Sequence, residues 1–186
     1  MKRTLLTVFF CIAVVGLCVQ TAAIAGTTKS YTLCAEMSAT LEDVGQNMKK
    51  LTIDVDSTGD VADGVFPDSL VSELIRGGPW YFYVGYVFPE SGGTGPTDGS
   101  NLFILNEHNQ DLLGSEDCVY ATGCTTAYNG LNALDNTSVT TLIPDIYITR
   151  AGEHVTQYPP VTGAWTIDID NNVANADVNI VLIFIK

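Results

Sequence analysis

The sequence predicts an all-β protein, a single antiparallel β-sandwich of about eight to ten strands with one short helix. Three observations carry that expectation. Apolar and polar residues alternate through many short runs. Clusters of Gly, Pro, Asn and Asp separate the runs. Only one stretch spaces its apolar residues as a helix does.

Residues 1–25 read as a secretory signal peptide. Lys2 and Arg3 precede an apolar run, and the small residues of Ala23-Ile24-Ala25 mark a cleavage site before Gly26. Gln20 and Thr21 break the run too early for a membrane span. A lipid anchor at Cys18 would want a small residue where Leu17 stands. The expectation is therefore a secreted protein, extracellular or periplasmic, with residues 26–186 forming one domain large enough to bury a full core.

"YTLCAEMSATL" predicts a half-buried strand, with Tyr31, Leu33, Ala35, Met37, Ala39 and Leu41 on one face and Cys34 on the polar face. "KLTIDVD" repeats the pattern, with Leu51, Ile53 and Val55 inward and Asp54 and Asp56 outward. "PDSLVSELIRGG" is the helix. Pro67 and Asp68 start it, Leu70, Val71, Leu74 and Ile75 make its stripe, and Gly77 ends it. "WYFYVGYVF" then places Trp80, Phe82, Val84, Tyr86 and Phe88 on one aromatic face, with Tyr81 and Tyr83 on the other.

Residues 89–101 have a loop composition and lack the ending of a phosphate-binding loop. "LFILNEHNQDLLG" predicts a strand, a turn at Asn109 and a short return, and "DIYITRAGEHVTQY" predicts two strands around Ala151-Gly152. The C-terminal stretch supplies two more. In "VNIVLIFIK", Val178, Ile180, Leu182 and Phe184 make one apolar face, and Val181, Ile183 and Ile185 make the other. Such a strand must be covered on both sides, either in the centre of its own sheet or by exchange with another copy, a self-association running through Val178 to Lys186.

Residues 1–25 hold two of the eight Lys and Arg and none of the 21 Asp and Glu, so the chain beyond them carries a formal charge of −15. A surface so acidic repels phosphates, which disfavours nucleic acid and anionic membrane as partners. Three cysteines remain after residue 25. Cys118 and Cys124 are expected to form a short disulfide loop that leaves Cys34 over, with a Cys34 bridge to either as the competing pairing. Three thiols and two distant histidines make a poor zinc set.

From about residue 79 onward the order of features resembles the bacterial pre-peptidase C-terminal domain. "NLFILNEHNQDLLG" is similar to that family's strand, polar turn and Leu-Leu, and "GAWTIDI", with Gly163 and Trp165, is similar to its later Gly-x-Trp signature. Asn101 and Asn106 stand where the family has aspartates, and Asn109 where it has glycine. The resemblance implies a jelly-roll-like sandwich and an accessory or binding module whose catalytic domain lies elsewhere.

"TIDVDSTGD" and "TIDIDNN" echo one another. In each, two aspartates on one strand face run into a polar turn, which makes Asp54, Asp56 and Asp60, and Asp168, Asp170 and Asn172, candidate calcium ligands or solvated acidic faces. Neither is an EF-hand. Tyr81 and Tyr83 are candidates for a platform under a sugar ring, or for a partly packed second face. The pairs Glu107-His108 and Glu153-His154 would point to opposite faces of a strand and so read as surface residues. Asn136-Thr137-Ser138 fits a glycosylation sequon.

Nucleophile signatures such as G-x-S-x-G and S-x-x-K do not occur. The expected function is a secreted, non-catalytic binding or structural module that takes calcium, a carbohydrate or a protein surface. The alternatives are a fibre or adhesin subunit joined by strand exchange and, third, a small secreted hydrolase.

Overall fold

A computed structural model describes residues 26–57, 62–89, 101–113, 139–144, 146–148, 153–155, 158–170 and 176–186. Residues 1–25, which carry the signal-peptide expectation, Cys118, Cys124, Asp60, Asn172, residues 136–138 and nearly all of residues 89–101 lie outside them. Within them run eleven strands: β1 (Thr28–Cys34), β2 (Met37–Asp43), β3 (Met48–Ser57), β4 (Ala62–Val65), β5 (Tyr81–Pro89), β6 (Asn101–Leu105), β7 (Thr140–Leu142), β8 (Ile146–Ile148), β9 (Glu153–Val155), β10 (Thr166–Asp170) and β11 (Ala176–Ile185). The single helix among the described residues, α1 (Asp68–Leu74), lies between β4 and β5. The fold is an antiparallel β-sandwich.

The large sheet has the order β1-β2-β3-β11-β5-β7, the small one β4-β10-β6, and β8 pairs with β9 as a separate hairpin. β11 is inserted in the middle of the large sheet, antiparallel to β3 along its whole length and to β5 on the other side. Its inward residues Val178, Ile180, Leu182 and Phe184 are fully buried. They meet Ile167, Ile169, Leu102 and Ile104 of the small sheet in one continuous core. Trp165 joins the layers, with its ring 5.8 Å from Phe184 and 6.1 Å from both Phe82 and Phe66. Leu70 and Leu74 of α1 are buried against this core, Val71 packs at its edge, and Ile75 is exposed.

Two irregularities depart from simple alternation. "YTLCAEMSATL" is a hairpin rather than one strand, with Ala35 and Glu36 as its two-residue loop. A loop of two residues would by itself exchange the faces of the pleat. A bulge between Thr32 and Cys34 exchanges them again, so Tyr31 still lies opposite Ala39 and the sequence reads as an unbroken alternation. The bulge also brings Cys34 with Leu33 against the core edge, not onto the polar face.

The second bulge falls in β5, where Ile183 pairs with Val84 but Phe184 pairs with Phe82. Tyr83 is the extra residue. Trp80 and Phe82 point inward, but beyond the bulge Gly85 and Val87 take the inward places, and Tyr86 and Phe88 move to the outer side, so the expected single aromatic face is split. A Cβ on Gly85 would stand 2.9 Å from Leu182 Cδ2, so this close crossing needs a glycine.

The expected turn at Asn109 is present. Asn109 has φ 59°, a left-handed conformation that Asn tolerates, and Asn106 Oδ1 accepts hydrogen bonds from the His108 and Gln110 amides at 2.9 and 3.0 Å.

Candidate functional site

Cross-strand register fixes what lies on the outer face of the large sheet, the side turned away from the core. Beyond the β5 bulge, one row runs Tyr86, Val181, Thr52, Thr40 and Ser30, and the next runs Phe88, Asn179, Asp54, Ser38 and Thr32. Each step is one strand spacing, roughly 4.7–4.9 Å. Aromatic rings therefore sit at the β5 side of the face and give way to hydroxyls, an amide and a carboxylate toward β1.

Tyr81 and Tyr83 join the same face at the start of β5. The segment around Pro159 and Pro160 runs antiparallel beside it, with Phe82 and Val161 donating backbone hydrogen bonds to Pro159 and Trp80. That pairing places Tyr158 beside Tyr83, with ring centroids 5.2 Å apart. Tyr86 and Phe88 form a second ring pair at 6.2 Å. Tyr81, Tyr83, Phe88 and Tyr158 remain 36%, 43%, 39% and 47% exposed, so these rings are open to a ligand rather than packed under another layer. Tyr81 and Tyr83 stand where the sequence placed them. Alternation puts Tyr86 and Phe88 on the face opposite Tyr81 and Tyr83, because it cannot register the bulge that brings them to the same side, and Tyr158 carries no local signal.

Asp54 and Asp56 are exposed on the same face, beside a shallow recess that Thr32, Glu36 and Ser38 also line. Asp177 is paired opposite Asp56, and the Asp56 amide donates to the Glu36 carbonyl at 2.9 Å. Asp168 and Asp170 lie instead on the small sheet, on strand β10, so the two echoed aspartate sets belong to opposite layers. No three His, Cys, Asp or Glu side chains among the described residues are grouped to hold a metal ion.

Asp168 has a different surrounding. It lies directly opposite Asp63 of β4 and Phe103 of β6. Burial, the neighbouring Asp170 charge and a hydrogen bond with Asp63 push its carboxyl up to about 7. Asp111, also buried close by, accepts hydrogen bonds from the Ile104 and Leu113 amides at 3.3 and 3.0 Å. Asp63 and Asp111 carry no signal in the sequence, because the strand register alone brings them to Asp168.

Glu107 and His108 lie on the Asn109 turn. Glu107 accepts a hydrogen bond from Thr162, and His108 is exposed. His154 is on β9, opposite Tyr147. Cys34 forms no disulfide among the described residues. No helix among the described residues is long and apolar enough to cross a membrane. Comparison with family models, curated proteins and solved structures returns no match, so the resemblance to the pre-peptidase C-terminal domain rests on its quoted motifs alone.

Proposed function

We propose that the chain is a secreted, non-catalytic binding module that holds a carbohydrate on the outer face of its large sheet. The observation that carries this reading is the set of exposed rings along β5, Tyr81, Tyr83 and Tyr158 at its start and Phe88 near its end, on the same sheet face as rows that hold Ser and Thr. A sugar ring has an apolar C–H face and a rim of hydroxyls. The hydrogens of that face carry partial positive charge and meet the negative face of an aromatic ring, while the rim needs donors and acceptors alongside. Both are offered here on one surface. The central place of β11, paired on both sides within its own chain, favours a self-contained module over a subunit completed by strand exchange.

Retention of the purified protein on a panel of immobilised polysaccharides tests the reading. At least one neutral or basic polysaccharide should retain it, and a Tyr83→Ala/Tyr158→Ala variant with unchanged thermal melting should bind about tenfold more weakly. Retention of none, or equal retention of the variant, would reject the carbohydrate reading.

A further inference from the structure

We infer that the carbohydrate is a cationic one, a polymer of amino sugars carrying free ammonium groups. This rests on the carbohydrate reading and adds the charge of the ligand. The aromatic rows do not end in neutral surface. Two strands from Phe88, about 10 Å away at the usual strand spacing, the same row reaches Asp54. Asp56 and Asp177 face each other on the neighbouring row, at the end of the strands where Glu36 also lies. A chain lying across the strands with one ring on Phe88 or Tyr86 would bring its next units over these carboxylates.

Charge complementarity then selects among ligands. None of Asp54, Asp56 and Asp177 has an ion pair with a basic side chain among the described residues, while Lys50 on the same face is taken up by Glu42 at 2.7 Å. A uronate polymer would be repelled by these groups and by the −15 charge of the chain beyond residue 25. A second copy of this chain would bring the same acidic rows against themselves. A basic peptide could satisfy the charges, but peptides recognised by main-chain pairing add to a sheet edge, and here the rings and carboxylates lie on the flat of the sheet, on β5, β11 and β3, inside the outermost strands β1 and β7. Flat saccharide units suit such a face better.

The test is titration calorimetry of the full chain at mildly acidic pH and low salt with three probes: short β-linked glucosamine oligomers, their N-acetylated counterparts, and a lysine-rich peptide. The glucosamine oligomer should bind about five- to tenfold more tightly than the acetylated one, and added salt should erase the difference. An Asp54→Asn/Asp56→Asn variant should lose that preference but still bind the acetylated oligomer, whereas Phe88→Ala should weaken both. Equal affinity for the two oligomers, or a preference that survives the aspartate substitutions, would overturn the amino-sugar inference and leave the carbohydrate reading standing. Tighter, aspartate-dependent binding of the peptide would overturn it in favour of a protein partner. Binding of no oligomer would overturn the amino-sugar inference and leave the carbohydrate reading to the polysaccharide panel.

Discussion

Asp168 is held in a state that its sequence neighbours do not suggest. Two carboxyl groups sharing a hydrogen bond across β4 and β10 need a proton between them, and burial adds to that need. The folded protein keeps this proton up to about pH 7, whereas the ordinary carboxyl loses it near 3.8. Between those values the folded state binds more protons than the unfolded one, so stability falls as pH rises through the window, and the loss is complete above it. Melting temperatures of the wild type should therefore drop from mildly acidic to mildly alkaline pH by more than those of Asp168→Asn. Identical slopes would contradict the shared proton. Lys49 shows the opposite economy of charge. Its buried ammonium donates to the Glu73 and Leu74 carbonyls at the end of α1 and lies 4.5 Å over the Trp80 ring. Burial pulls its affinity for a proton below the usual lysine value. Lys49→Ala should cost about 1–3 kcal/mol in denaturant unfolding because those carbonyls lose their donor. Lys50→Ala, which breaks only the exposed pair with Glu42, should cost less than about 1 kcal/mol.

At the scale of elements, β11 decides whether the sandwich exists. Deleting residues 178–186 would separate β1-β2-β3 from β5-β7 and remove four fully buried side chains, together worth about 6–12 kcal/mol, comparable with the whole stability of a domain. The truncated chain should lose its cooperative melting transition and its near-ultraviolet circular dichroism; a folded, soluble product would contradict the central placement. Gly85→Ala should destabilise by about 1–3 kcal/mol, since its new methyl group meets Leu182 and Leu142. The elements themselves were legible where composition speaks locally. The helix after Pro67, the turn at Asn109, the two strands β8 and β9 and the doubly apolar last strand all follow from residue pattern. Both bulges were invisible, because each is one extra residue opposite a partner remote in sequence. At β1 and β2 the bulge and the short loop cancel in parity, which made a hairpin look like one strand.

Across the whole molecule, the two outer faces differ in chemistry. The small sheet carries the Asp63–Asp168 pair, while the large sheet presents aromatic rings that grade into hydroxyls and carboxylates. The site was half legible: Tyr81, Tyr83, Asp54 and Asp56 stand out in the sequence, but Tyr158, Phe88 and Asp177 reach the same face only through strand pairing and the bulge at Tyr83. The most direct measurement is amide chemical-shift mapping of the isotope-labelled protein titrated with a polysaccharide-derived oligomer that it retains. The account predicts shifts concentrated on β5, β11 and residues 158–160, extending along the Phe88 row to Asp54. A footprint on β4, β10 and β6, or one confined to the β1 edge, would contradict it.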